Sequence, residues 1–279
     1  MRKVLGRVLV IDDDPLMLRV LRELLEGAGY DVHARESASG IAQVIVQERI
    51  DAAVIDWDLP DMQGDAVIRL LRTWEDVKDL PVLLITGAEE ETRERIRSQL
   101  PGVRIVTKEN LRDELISALG TVLGTNKTVR GLPPVVLGKG GEFTVGKQRN
   151  KASDLVPQLL TQLAETLPLA RTVWTQASQG RTAQVESVVQ SLDLLAGQAR
   201  LLALDEAASL LQALTETLNA LPEDRKVPRD VKRAIDGGIE ALSSLSNGVD
   251  GAFTIPPEPV IGALHRARSS FPPRPERQG

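Results

Sequence analysis

The sequence predicts two bodies of different class: an α/β body built as a (βα)5 doubly wound parallel sheet, and after it an all-α four-helix bundle. Three observations predict this. Short apolar runs alternate with amphipathic stretches from Arg7 to Leu123, and from Ser153 apolar residues recur only at helical spacing. Between them lies a stretch rich in Gly, Pro, Lys and Arg.

The strands of the first body are Val8-Leu9-Val10-Ile11, Asp31-Val32-His33-Ala34, Ala52-Ala53-Val54-Ile55, Val82-Leu83-Leu84-Ile85 and Val103-Arg104-Ile105-Val106. Each is a short run rich in β-branched or aliphatic residues. The first helix spans Leu16 to Leu25, with leucines on one face and a stop expected at Gly27. Ser37 to Gln47, Asp65 to Trp74, Glu89 to Leu100 and Leu111 to Leu123 supply the other four. Ligands of such sheets collect at the carboxyl ends of the strands, so the chemistry is expected there.

Residues 125–151 read as a flexible basic linker that leads from a first domain, 1–124, to a bundle over 152–249. Four sets of apolar residues at helical spacing define the bundle: Val156 to Trp174, Val185 to Leu202, Ala207 to Leu218 and Val231 to Leu245. The tail, 250–279, is proline-rich with scattered arginines and is expected to be disordered.

Composition narrows the chemistry. The chain has no cysteine and only two histidines, His33 and His265, which removes disulfides, thiolate metal sites and most hydrolytic triads. His33 lies in the second strand and reads as a core or surface residue. No apolar run approaches the roughly 20 residues of a membrane helix, and the start of the chain lacks a signal peptide's apolar region. A cytoplasmic protein without membrane insertion is expected. Residues 1–124 carry 16 Lys/Arg and 23 Asp/Glu, a net −7; residues 152–250 carry 8 and 13, a net −5. Two acidic bodies argue against a nucleic-acid binder.

The expected strand ends carry Asp12-Asp13-Asp14, Asp56-Trp57-Asp58, Thr86 and Lys108. Crowded carboxylates repel, and a hard divalent cation relieves the repulsion; with few ligands and room for water, Mg2+ is the natural choice. A carboxylate that receives a phosphoryl group needs that metal, and also a lysine and a hydroxyl to hold the product oxygens. Asp14, before Pro15, reads as a helix cap.

With those residues in place, residues from about 5 to 123 resemble the receiver domain of two-component response regulators, whose fold is flavodoxin-like. Leu59-Pro60-Asp61-Met62-Gln63-Gly64 is similar to the loop that follows the acceptor in that family. The resemblance implies that Asp56 is the phosphoacceptor, and that Asp13, with Asp12 largely through water, binds Mg2+ beside Asp56 and the backbone carbonyl of Asp58. It also implies that Thr86 and Lys108 contact the phosphoryl group, Lys108 pairing with Asp56 beforehand. Two positions depart from the family: Glu109 stands where a proline usually follows the lysine, and Ile105 where a switching Tyr or Phe is common.

The helical stretch Asp193 to Leu204 resembles the signature helix of histidine phosphotransfer (Hpt) bundles through Leu195, Gly197 and Ala199. Asp193 occupies the place of the phosphorylated histidine, and Ala196 and Ala203 replace the pattern's Lys and last Gly. The bundle is therefore expected to carry no phosphohistidine and to serve as a docking or dimerising surface. Gly140-Gly141-Glu142-Phe143 is only superficially similar to the cyclic-dinucleotide synthase signature.

Together these readings imply a phosphorelay response regulator with a non-DNA-binding helical output. A histidine kinase or phosphotransfer protein would phosphorylate Asp56, adding about −1.5 to −2 charges. A surface with Arg93, Arg97, Arg104 and Arg112 would then exchange protein partners; a homodimer is open. Two alternatives stand beside this. One is a phosphatase or scaffold acting on another receiver, with Glu186 and Gln190 on one face of a bundle helix. The other is an atypical transcriptional regulator reading DNA through Arg229, Lys232 and Arg233.

Overall fold

The structure is a computed structural model, and it describes residues 4–126, 155–179, 185–221, 227–246 and 252–271. The chain divides into two compact units, Met1–Ala152 and Ser153–Gly279. The linker expected over 125–151 lies outside the described residues except for 125 and 126, which end a helix, and so do Gly140 to Phe143.

In the first unit, β1 (Arg7–Ile11), β2 (Asp31–Arg35), β3 (Ala52–Asp56), β4 (Val82–Thr86) and β5 (Arg104–Thr107) form one parallel sheet in the order β2-β1-β3-β4-β5. This is the flavodoxin-like strand order. The five helices between and after the strands are α1 (Pro15–Ala28), α2 (Ile41–Gln47), α3 (Gly64–Leu71), α4 (Glu90–Gln99) and α5 (Leu111–Asn126). Val8, Val10, Val54, Leu83 and Ile85 join Leu21 and Leu25 of α1 and Leu115 and Leu119 of α5 in one core. The alternate residues Leu9, Ile11, Ala53, Ile55 and Leu84 are buried too. A sheet buried on both faces requires nearly continuous apolar strands, which is what the sequence supplies.

Local chemistry fixes the helix ends. The Asp14 side chain accepts the Leu16 N–H at 2.9 Å, and Pro15 occupies the first turn of α1. The α1 helix does not stop at Gly27; it continues to Ala28 and ends at Gly29, whose φ of +99° only glycine adopts freely. The α2 helix is shorter than its sequence pattern, because Gly40 at its start is left-handed and Ala38 instead donates its N–H to Asp61. Likewise α3 ends at Leu71, with Thr73 and Trp74 in a turn.

The second unit is all helical, and among the described residues it has five helices, not the four expected: α6 (Leu155–Ala177), α7 (Val185–Leu201), α8 (Asp205–Asn219), α9 (Arg229–Ser246) and α10 (Pro257–Ser269). The α6 helix meets α7 and α9, the α7 helix meets α8, and α8 meets α9. Trp174 Nε1 donates to Asp236 Oδ1 at 2.7 Å and ties α6 to α9.

The α10 helix corrects the expectation of a disordered tail over the described part of 250–279; residues 250, 251 and 272–279 lie outside the described residues. It packs on both α8 and α9. Leu264 is fully buried, and its carbonyl accepts the Thr217 hydroxyl at 3.2 Å. Gly238 makes the approach feasible: a Cβ there would stand 3.3 Å from both Leu214 and Leu264. Pro256, Pro257 and Pro259, three of the prolines that suggested disorder, precede and open the helix, where a missing N–H costs nothing, and Val260, Leu264 and Ala267 follow at helical spacing.

Candidate functional site

Four of the five strands deliver the residues expected at their ends. Asp12 and Asp13 follow β1, Asp56 ends β3, Thr86 ends β4 and Lys108 follows β5. Parallel strands place those ends on one edge of the sheet, and the order β1-β3-β4-β5 makes the contributing strands contiguous. Asp12, Asp56 and Thr86 are buried, Lys108 is half-buried, and Asp13 is exposed.

The geometry is that of a compensated acidic pocket. Lys108 Nζ lies 2.9 Å from Asp56 Oδ2 and 3.5 Å from Asp12 Oδ2. Asp56 Oδ1 accepts the N–H of Trp57 at 2.9 Å, and Asp12 Oδ1 accepts that of Asp14 at 2.9 Å. Asp12, Asp13 and Asp56 each offer an oxygen within 4.8 Å of the others. Asp12 Oδ2 is buried and accepts no hydrogen bond. With the Lys108 ammonium 3.5 Å away and shared with Asp56, that buried oxygen is only partly compensated, and a further cation would lower the cost of its charge. Hard carboxylate oxygens of this kind are what Mg2+ takes, so the residues present fit that ion.

Burial pushes the carboxyls of both Asp12 and Asp56 up, and for Asp56 the charge of Asp12 adds to the rise; Lys108 only partly offsets it. Burial alone would depress the Lys108 ammonium. Its hydrogen bond to Asp56 and the charges of Asp56 and Asp12 outweigh that and raise it, so it remains a cation at neutral pH.

Thr86 is fully buried, and its Oγ1 accepts the N–H of Ala88 at 3.0 Å. Its carbonyl accepts the main-chain N–H of Lys108 at 2.9 Å, which fixes β5's end against β4's. No peptide bond among the described residues is cis, and with Glu109 after it Lys108 still reaches Asp56. Ile105 is half-buried on β5. Asp58 lies two residues past Asp56, its side chain exposed.

Gly64 has a role that its place in the loop motif did not spell out. Its N–H donates to the Trp57 carbonyl at 2.9 Å, and a Cβ would collide with the Asp56 carbonyl oxygen and stand 2.9 Å from Leu84 Cδ1. Only glycine lets α3 start this close to β3. Its sequence signal is a glycine at a helix start eight residues past Asp56.

The remaining candidates lie apart. His33 is half-buried on β2, 3.8 Å from Asp31. Glu186, Gln190 and Asp193 are exposed on α7, whereas Gly197 is buried within the helical unit and does not open its surface. On α9, Arg229 and Arg233 are exposed and Lys232 half-buried, interleaved with exposed Asp230, Asp236 and Glu240.

A doubly wound sheet with an acidic pocket, a buried hydroxyl and a lysine at its carboxyl edge defines a phosphoacceptor signalling domain, and residues 8–120 match the response regulator receiver domain. The chain belongs to the response regulator receiver family. Its relatives include the chemotaxis protein CheY-3 of Vibrio cholerae, 34% identical over 92 residues, which are 32% of this chain and 68% of that protein. The phosphate regulon transcriptional regulatory protein PhoB of Pseudomonas aeruginosa is 28% identical over 116 residues, 42% of this chain and 51% of PhoB. The transcriptional regulatory protein KdpE of Mycobacterium tuberculosis is 31% identical over 139 residues, 50% of this chain and 59% of KdpE. Among the described residues, no helix is long and apolar enough to cross a membrane.

Proposed function

We propose that this chain is a cytoplasmic phosphorelay response regulator in which Asp56 accepts a phosphoryl group from a histidine kinase or phosphotransfer protein. The observation that carries the reading is the clamp of Lys108 on Asp56, beside buried Thr86 and the unsatisfied oxygen of Asp12. Asp13, Asp56 and the Asp58 carbonyl would hold Mg2+, with Asp12 acting largely through water, and the ion would supply neutralising charge to the phosphoryl oxygens.

An Asp56 carboxylate oxygen forms a bond to phosphorus as the P–N bond of the donor's phosphohistidine breaks. The leaving imidazole nitrogen keeps the bonding pair. Lys108 then turns its ammonium to a phosphoryl oxygen, and the Thr86 hydroxyl donates to another, so both act where negative charge has increased.

The helical unit is read as a degenerate Hpt-like, protein-binding output. Exposed Asp193 in place of a histidine supports an output that carries no phosphohistidine, and the acidic residues interleaved along α9 support one that does not bind DNA. Incubation with Mg2+ and acetyl phosphate should add one phosphoryl group to the wild-type chain, read by intact mass, and none to Asp56→Asn. Equal gains in both chains, or none in the wild type, refute the assignment.

A further inference from the structure

Arg93, named above only as part of an expected partner surface, lies in a set of polar contacts that runs from Thr86 to the start of α4. Ile105, half-buried on β5, has no aromatic ring to follow the Thr86 hydroxyl. Thr86 Oγ1 accepts the Ala88 N–H at 3.0 Å, and the Ala88 carbonyl accepts Arg93 Nη1. Arg93 Nε donates to Glu90 Oε2 at 2.9 Å, and Arg97 Nη1 reaches Glu90 Oε1 at 2.6 Å. The guanidinium fork thus bridges the loop after β4 and the first turn of α4, and its side chain is only 21% exposed.

The α4 helix is suited to move. Ile96 is its one buried residue, and the rest of its surface is charged or polar. A helix anchored by so little apolar contact shifts at small cost.

We infer that Arg93 is a positioning residue for the phosphoryl pocket: through the Ala88 carbonyl it holds the loop that keeps Thr86 turned toward Ala88 and away from Asp56. Phosphorylation draws the Thr86 hydroxyl to the new oxygens, frees the Ala88 N–H and loosens the Arg93 bridge, releasing the start of α4. Thermodynamic linkage sets the sign: an interaction made in the unphosphorylated state alone opposes phosphoryl binding, and its removal favours it.

This inference rests on Asp56 as phosphoacceptor, and the test separates the two. The full chain is titrated with beryllofluoride, a phosphoryl mimic, in the presence of Mg2+, and the midpoint is read by tryptophan fluorescence. Arg93→Ala should lower the midpoint about three- to tenfold, the range for one typical net hydrogen bond lost from one of two states. Arg93→Lys, which lacks the fork, should lie between wild type and Arg93→Ala. In a Thr86→Ala background, Arg93→Ala should shift nothing, because Arg93 acts through Thr86.

A merely structural role for Arg93 would raise the midpoint. An unchanged or raised midpoint for Arg93→Ala, or an equal shift in the Thr86→Ala background, overturns the inference and leaves Asp56 standing. No response of the wild type overturns both. Should Arg93→Ala fail to fold, Glu90→Gln weakens the same bridge and carries the same expectations.

Discussion

Lys108 Nζ stands 2.9 Å from Asp56 Oδ2, the cation of one strand end against the buried carboxylate of another. Asp12 is also within its reach at 3.5 Å, so a single ammonium compensates two buried acids. Lys108→Met keeps the stem and deletes the charge. Removing one partner of a fully buried pair costs about 3–5 kcal/mol; with Lys108 30% exposed, about 1–3 kcal/mol is expected. Urea unfolding without metal should show that loss, and Mg2+ should restore part of it. Equal stability of the two chains without metal would contradict the compensation.

The raised carboxyls give a pH dependence of definite sign. A carboxylate whose folded-state pKa exceeds its unfolded value destabilises the fold when ionised. For Asp12 that penalty is fully present above its raised pKa and absent below the ordinary value of 3.8. Asp12→Asn, an isostere without charge, should therefore melt higher than the wild type in metal-free neutral buffer. The difference should close as the pH falls toward 4. Saturating Mg2+ should reverse the order at neutral pH, since only the wild type has the ionised oxygen. Thermal melts across that range, with and without Mg2+, test both parts.

Gly64→Ala forces a methyl group into the Asp56 carbonyl and Leu84. Overpacking of this kind costs about 1–3 kcal/mol, and here the displaced atom belongs to Asp56 itself. Urea unfolding should show the loss, and acetyl phosphate should label the folded variant more slowly than the wild type. A chain as stable and as readily labelled as the wild type would mean that α3 starts farther from β3.

The α10 helix should behave as part of the helical core. Leu264→Ala empties a fully buried site between α8 and α9, and about 2–4 kcal/mol of stability should be lost. Arg268 pairs with Glu216 at the surface, and Arg268→Ala should change stability by less than about 1 kcal/mol. Chemical denaturation followed by circular dichroism separates the two. Similar small effects for both would return this segment to the status of a loose tail.

The strands and the gathering of Asp12, Asp13, Asp56, Thr86 and Lys108 at one edge were legible because their signals are local. A parallel strand buried on both faces must be an unbroken apolar run, and the residue types that end those runs are set by the pocket's chemistry. Boundaries set by a single backbone angle were harder to read. Gly27 and Gly29 look alike in sequence, and only the fold shows which one turns left-handed. The α10 helix was hidden because Pro256, Pro257 and Pro259 resemble a disordered segment until Leu264 has a site between α8 and α9 to fill. Arg93 was legible only as one of four arginines on an expected partner surface; its bond to the Ala88 carbonyl was not, since that partner is a main-chain carbonyl five residues back.

The pocket draws on β1, β3, β4 and β5, all parallel, so no hairpin can bring even two of its parts together early. Each pairing waits for a crossover helix to form and dock, and the last strand contributes the lysine. The metal and phosphoryl ligands therefore find nothing to bind until the chain has almost finished folding. Mg2+ should slow unfolding and leave the refolding rate nearly unchanged. A pocket built this way is complete only when the whole sheet has closed, so a partly folded chain has no site to offer.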